Sequence, residues 1–479
     1  MKTTHSHAQN RFSVVPTPDR VQADPRLTGR GVNIAFLDSG FYPHPDLTKP
    51  LNRIVAYHDV TDPKDVLNDG NKPENHAWHG TMTSVCAAGN GYLSDGIYRG
   101  LATDSGVALV KVSEAGKIIE NNIARGLEWI IQNHRKYEIR VVSISLGGNE
   151  DVPYRQNYVD ELAEEAVRLG LTLVVAAGNA GCTDRNQVVP PANAPSVITV
   201  GGYNDGNRLD ADPDLYCSSF GFTSDGIVKP EIIAPAIWVA APILPNTDAY
   251  NRAKALTQII EMPDYELQWI PLHLCEAAGL PYSVLKNDAQ TIRAEAELLV
   301  RENKIISAHY QHVDGTSFAA PVVASVVAQM LQANPGLTPA IIKNILISTA
   351  RKIANAPRVR QGYGMLDAHA ATDQARRERH NLDHNHLMPP RIENSRLIFS
   401  YHNDTARTVQ LAGDFNQWKH AINFEKEKDG IWRLQLVVPA AGKYRYKFIV
   451  DGNQWVEDPG NGMKELDEYG GFNSILSCS

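Results

Sequence analysis

The chain has little that would draw it into a membrane or onto nucleic acid. No segment reaches 18 consecutive apolar residues, so no helix that could span a bilayer is expected. Long basic runs are missing and the formal net charge of the 479 residues is -8, which argues against a nucleic-acid partner. The opening stretch Met1-Lys2-Thr3-Thr4-His5-Ser6-His7 is polar with no apolar run behind it, so no secretory signal is expected. Cysteine is sparse: five residues, at 86, 182, 217, 275 and 478, odd in number and without a CxxC pair. That excludes a disulfide framework as the expected scaffold and points to a reducing, cytoplasmic setting, with the thiols as small buried hydrophobes. The remaining composition is ordinary, 43% hydrophobic and 21% charged, and the length predicts two to three domains at about 150 residues each.

What is present begins with alternation. Val32 to Leu37 is a short apolar run, expected as a buried parallel strand, and it ends in Asp38-Ser39-Gly40. Further strands are expected at 107–112, 141–146, 171–176 and 197–200, with helices over 119–134 and 158–169 between them. This rhythm predicts a doubly wound, mainly parallel sheet with helices on both faces. Sites in such sheets lie beyond the carboxyl ends of the strands, where Asp38 stands. His76-Ala77-Trp78-His79-Gly80-Thr81 puts His79 at a helix start. Gly315-Thr316-Ser317-Phe318-Ala319-Ala320-Pro321 puts Ser317 at the start of a helix that is apolar nearly all round and therefore belongs in the core. Read alone, each of these is as well explained by a turn, a structural histidine or a helix cap.

Together they form a set. A serine that attacks a carbonyl needs a base, and the base needs a carboxylate to hold its other ring nitrogen. The order Asp38, His79, Ser317 is one of the known chain orders of that triad. Asn179, ending a strand in Ala177-Gly178-Asn179, supplies an amide for the negative oxygen formed. Phe36-Leu37-Asp38-Ser39-Gly40, His79-Gly80-Thr81, Ser145-Leu146-Gly147, Ala177-Gly178-Asn179 and the Ser317 heptapeptide occur in register, and the chain thereby resembles the subtilisin-like serine proteases over about 25–375. The resemblance implies that Asp38, His79 and Ser317 are the triad and Asn179 the oxyanion donor. It also implies that Ser145, Leu146, Gly147, Ala177 and Gly178 bind an extended substrate by strand addition. The small apolar walls there lead us to expect an apolar side chain before the cut. The stretch 89–100 resembles the intracellular bacterial branch rather than the Asn-rich calcium loop of secreted members. No cofactor is required, and Asp46, in the family-like His44-Pro45-Asp46-Leu47, is kept as a candidate calcium ligand.

Two regions depart from that pattern. Residues of about 246–308 are charged and helix-prone and are expected as an insertion, either a lid, wall or contact surface or peripheral decoration. After a His- and Arg-rich linker at 376–392, the texture changes to short aromatic and β-branched runs broken by turn dipeptides, expected as an immunoglobulin-like all-β sandwich over 393–479. His380, His384 and His386 have ligand-like spacing, but a solvated linker explains them better, and no metal site is expected. Val409 to Trp418, Tyr444 to Gly452 and Asn473-Ser474-Ile475-Leu476 resemble the glycogen-binding module of AMP-activated kinase β subunits. That resemblance implies that Trp418 and Trp455 stack on an α-glucan, with Lys447 and Asn473 bonding its hydroxyls. The expected domains are thus a tail over 1–24, a peptidase over 25–375, the linker and the sandwich. The expected partners are protein or peptide substrates and an α-glucan, with neither nucleic acid nor membrane. The readings left open are a serine endopeptidase, an esterase using the same triad, and a latent or inactive protease acting as a carbohydrate-binding scaffold.

Overall fold

The computed structural model describes residues 13–62, 64–67, 73–149, 152–184, 186–378, 389–393, 395–403, 405–419, 421–427, 430–461, 463–469 and 471–478. His380, His384 and His386 lie outside the described residues.

Seven parallel strands form the main sheet. In spatial order they are Ile232–Pro235, Ile198–Asn204, Thr172–Ala176, Ile139–Ile144, Asn33–Asp38, Gly106–Lys111 and Ile54–Asp59. A short strand, Asp214–Leu215, pairs antiparallel with Ile198–Asn204. The chain enters at the interior strand Asn33–Asp38, builds two strands to one side, and then crosses to build four on the other. The order therefore reverses at Asp38, which is where a doubly wound sheet opens a crevice. Alternate residues of this strand feed opposite cores. Ile34 and Phe36 pack beneath the Ser317 helix, Thr316–Ala333, while Ala35 and Leu37 pack beneath helices Glu120–Asn133 and Tyr158–Arg168. Both faces are covered, so the strands read as continuous apolar runs. The Ser317 helix lies across the sheet with Val322, Val323, Val326 and Val327 fully buried, each such side chain contributing about 1.5–3 kcal/mol relative to exposure.

The insertion forms a unit of its own. Helices Asp248–Glu261, Asp264–Leu267, Leu272–Ala278 and Ala289–Glu302 enclose a separate apolar cluster around Leu256, Ile259, Cys275 and Ile292. It is mounted on the tip of an antiparallel hairpin, Val239–Pro242 with Tyr310–Val313. The second strand of that hairpin runs directly into the Ser317 helix.

The C-terminal region is a sandwich of two antiparallel sheets, one of four strands and one of six, around Leu397, Phe399, Leu411, Trp432, Tyr446 and Phe448. It docks on the first domain. Arg358 pairs with Glu457 at 3.0 Å and lies 4.3 Å over the ring of Phe472. Lys464, buried, bonds to the Tyr363 hydroxyl and pairs with Glu457 at 3.2 Å.

Three expectations need correction. The region expected as a tail is folded from Val14 onward. Residues Thr17–Arg20 form a short helix, and the Arg20 guanidinium, inaccessible to solvent, bonds both carboxylate oxygens of Asp205 at 2.7 and 2.9 Å. The partner lies 185 residues away, so no local pattern announces it. The expected linker begins later, because helix Ala368–Arg377 continues the first domain and Arg376 pairs with Asp24 at 2.6 Å. Residues Arg391–Glu393 are already a strand of the sandwich. Finally, Cys182 and Cys217 form a disulfide, while Cys86, Cys275 and Cys478 are free and buried. Parity and the lack of a CxxC pair did not reveal a bridge closing a single loop.

Candidate active site

Three adjacent parallel strands deliver the site. Asp38 ends one, Ser145 follows the end of Ile139–Ile144, and Ala177-Gly178-Asn179 follow the end of Thr172–Ala176. Two helices close over these ends, Trp78–Ala88 carrying His79 and Thr316–Ala333 carrying Ser317. Gly80 permits the first closure. A Cβ there would lie 2.3 Å from the Gly40 carbonyl oxygen and 3.0 Å from Asp38 Cβ, so any side chain would push His79 away from Asp38.

His79 Nδ1 lies 2.7 Å from Asp38 Oδ1. The carboxylate is almost fully buried and is further held by the Ser39 N–H at 2.6 Å and the Thr83 hydroxyl at 3.0 Å. These bonds fix the imidazole's orientation and assign its Nδ1 as the donor. Burial pulls the imidazole pKa down, but the charge of Asp38 and its hydrogen bond outweigh that, so His79 is held above the usual 6.5. The ring sits between the edge of Trp78 at 5.2 Å and Phe318 at 5.8 Å.

Gly315 precedes the nucleophile helix with φ of 137°, a backbone state that other residues adopt only with strain. Ser317 is in the first turn, where backbone N–H groups have no intrahelical carbonyl. Pro321 stands four residues on and has no N–H to offer the Ser317 carbonyl. That carbonyl instead accepts a hydrogen bond from Ser145 Oγ at 2.8 Å, while Ser317 Oγ donates to the Ser145 carbonyl at 3.4 Å. The proline of the heptapeptide thus leaves the serine helix tied to the segment that follows strand Ile139–Ile144. Serine hydroxyls in unliganded sites often rest on such partners and swing to the base on substrate binding.

Thr316 sets the asparagine. The Asn179 Oδ1 accepts from the Thr316 N–H at 2.9 Å and its hydroxyl at 3.1 Å, and the same hydroxyl accepts from the Gly178 N–H at 3.1 Å. With its carbonyl end engaged on the serine helix, the exposed Asn179 side chain keeps its amide nitrogen outside these bonds. Sequence reasoning missed Thr316 and Thr83, whose hydroxyls act on Asn179 and Asp38 rather than on a substrate. It also missed Val189, against whose Cγ2 a Cβ on Gly147 would sit at 2.9 Å, and Glu120, whose carboxylate borders Gly148. Cys86 is buried, with its thiol 3.4 Å from the Ala240 carbonyl, and burial pushes its pKa well up, so it is not a reactive thiol.

The residues around Asp46 do not fit a calcium site. Its carboxylate, fully buried, accepts the Tyr310 hydroxyl at 2.6 Å and the Leu93 N–H at 3.2 Å. A hydrogen-bond donor thus sits on each carboxylate oxygen, the phenol being supplied by the strand leaving the insertion. Among the described residues no group of three or more His, Cys, Asp or Glu side chains converges as a metal site.

On the sandwich, Trp418 and Trp455 lie side by side with ring centroids 6.2 Å apart, and Trp455 is 49% exposed. Trp432, by contrast, is a core residue. The two surface indoles line a cavity of 720 Å³ with Lys447, Asn473 and Tyr469. The Lys447 ammonium is bound by Asp467, and Trp418 Nε1 donates to Asp414 at 2.9 Å. Tyr469, 94% exposed on the rim, was not anticipated; a lone exposed aromatic in a turn carries no sequence pattern.

Comparison with known proteins follows the same division. Residues 29–365 match the subtilase family, and residues 396–479 match the glycogen recognition site of AMP-activated protein kinase. Serine protease AprX of Bacillus subtilis (strain 168) is 30% identical over 351 residues, covering 71% of this chain and 66% of its own length. The major intracellular serine protease of the same organism is 31% identical over 191 residues, covering 38% of this chain and 54% of its own length. The chain therefore spans a little over half to just under two thirds of these relatives. In fold, it superposes on the crystal structure of fervidolysin from Fervidobacterium pennivorans, a keratinolytic enzyme related to subtilisin. The TM-score is 0.51 at 17% identity, over 90% of this chain and 55% of that one.

Proposed function

The chain belongs to the subtilase family, and from that premise we propose that it is a serine endopeptidase with an α-glucan-binding accessory domain. The observation that carries the reading is the juxtaposition at the strand ends: a buried Asp38 2.7 Å from His79, and Asn179 held by Thr316 directly ahead of Ser317. In this reading an extended substrate pairs along Ser145, Leu146 and Gly147 and rests against Ala177 and Gly178. Its carbonyl approaches Ser317, whose Oγ leaves the Ser145 carbonyl for His79 Nε2. His79 takes the proton as the bond to the carbonyl forms, and Asp38 stabilises the resulting imidazolium. The negative oxygen is met by the Asn179 amide and the Ser317 N–H. His79 then protonates the departing amine, and water attacks the acyl-enzyme by the reverse sequence. Both domains act without a cofactor.

The glucan part of the proposal is supported by the half-buried Trp418 and the exposed Trp455 over a polar rim, since sugar rings present apolar faces to indoles and hydroxyls to Lys447 and Asn473. Trp418→Ala, assayed by co-sedimentation with glycogen, is expected to abolish retention; undiminished retention would refute the assignment. We also propose a cytoplasmic location. Fractionation of cells expressing the full chain should then recover it with the cytoplasmic fraction, and recovery outside that fraction would contradict it.

The test of the peptidase is covalent labelling of Ser317 by a phosphonate. A second reading, a latent protease serving as a glucan-bound scaffold, draws on the Ser317 hydroxyl resting on the Ser145 carbonyl. Labelling and peptide cleavage would exclude it, whereas a folded chain that neither labels nor cleaves would favour it. Ester turnover without peptide cleavage would instead mark an esterase.

A further inference from the structure

The cavity beneath the two tryptophans does not end at the sandwich. Lys447 and Trp455 also line a second cleft, of 330 Å³, whose other wall belongs to the first domain. That wall carries Asn344 and Ser348, one turn apart on helix Pro339–Thr349, together with Arg358. Ser348 is exposed and Asn344 partly so. The Arg358 Nε is buried and has no hydrogen-bond partner among the described residues. The two clefts share one indole, and the strand Gln454–Val456 that presents it is followed at once by Glu457, which pairs with Arg358.

The chemistry of this second cleft is that of a neutral polyol site. The two cations that line it are each paired, Arg358 with Glu457 and Lys447 with Asp467, so the lining offers no free cation to a phosphate or an acidic peptide. It offers an amide, a hydroxyl and a guanidinium N–H opposite an aromatic ring, the set that fixes sugar hydroxyls over a stacked pyranose. Resting on the glucan-binding reading above, we propose that the glucan track continues from Trp418 and Trp455 across the domain junction. Asn344, Ser348 and Arg358 of the peptidase domain then supply subsites for the extension of the chain. The complete site exists in neither domain alone, and a long linear α-glucan bridges the two where a short one occupies only the sandwich face.

The test is titration calorimetry of the full chain with maltotriose and with maltoheptaose. The unaltered protein is expected to bind maltoheptaose about tenfold more tightly, the gain from roughly two added hydrogen bonds. Ser348→Trp, which fills the cleft from an exposed position, should bring maltoheptaose to within about twofold of maltotriose and leave maltotriose unchanged. The Asn344→Ala/Ser348→Ala double variant, which adds no new stacking surface, should weaken maltoheptaose alone by about three- to tenfold. If Trp418→Ala removes binding of both sugars but the double variant leaves maltoheptaose unaffected, the extension is wrong and the sandwich site stands. If the unaltered chain binds neither sugar, the glucan reading itself fails and the extension falls with it.

Discussion

Thr316→Val separates the positioning of Asn179 from its presence. Valine keeps the β-branched shape at a fully buried helix start and removes one hydroxyl. That hydroxyl makes two of the bonds that define the site, to Asn179 Oδ1 and from the Gly178 N–H, while the backbone bond from Thr316 to Asn179 Oδ1 at 2.9 Å survives. Half the restraint on the amide is therefore lost. If the surviving bond keeps the amide aimed for part of the time, the transition state loses about 1 kcal/mol, about a fivefold fall in kcat. Complete removal by Asn179→Ala should cost about 10²–10³. Because the substrate strand is untouched, KM should stay within about twofold of the parent. The orphaned Gly178 N–H should also cost about 1–3 kcal/mol of stability. Steady-state cleavage of a chromogenic peptide, normalised by active-site titration, separates the two effects. An unchanged kcat in a folded Thr316→Val variant, beside a large loss in Asn179→Ala, would refute the claim that Thr316 aims the amide.

Asp38→Asn removes both influences that hold His79 above 6.5 and leaves only the burial that lowers it. The base must be neutral, so in the parent kcat/KM is lost as pH falls through a value above 6.5. In the variant that acid limb moves to lower pH while the plateau falls by about 10⁴; an unmoved limb would contradict the assignment. Burial raises the Asp46 pKa and the Tyr310 hydroxyl bond opposes it, so Tyr310→Phe should raise it further. The variant should lose about 1–3 kcal/mol at neutral pH, a deficit that shrinks as Asp46 is protonated. A chelator should leave the parent's thermal midpoint unchanged, whereas a marked drop would restore calcium to the account. Arg20→Ala leaves Asp205 unpaired in a mostly buried setting and should cost about 3–5 kcal/mol in urea unfolding. A loss near zero would mean that the N-terminal segment is a loose tail after all.

The legibility of these features in the sequence follows the range of the interactions. Strand runs such as Val107 to Val110 and the nearly all-round apolar Ser317 helix declare themselves through composition, because burial on both faces leaves few polar positions to interrupt them. The His79 and Ser317 motifs were readable because each places its side chain at a helix start, a local device. Hidden features depend on partners distant in sequence. The Arg20–Asp205 pair spans 185 residues and the Tyr310–Asp46 bond 264. Thr316 looked like part of the motif's wording, and only its partners show that it acts on Asn179. The donor on the candidate ligand Asp46 was hidden for the same reason, since the Tyr310 phenol that engages it enters after the insertion. Tyr469 and the cleft shared by the two domains arise from docking, which leaves no trace in local composition.

The central claim is that Ser317 performs acyl transfer at the strand ends beside Asp38 and His79. The most direct measurement is cleavage of an unfolded protein by the purified chain beside a Ser317→Ala variant matched for thermal midpoint. The account predicts fragments from the parent and a loss of at least about 10³ in the variant. A variant that cleaves as the parent does, or a folded parent that cleaves nothing and takes no phosphonate, would contradict it.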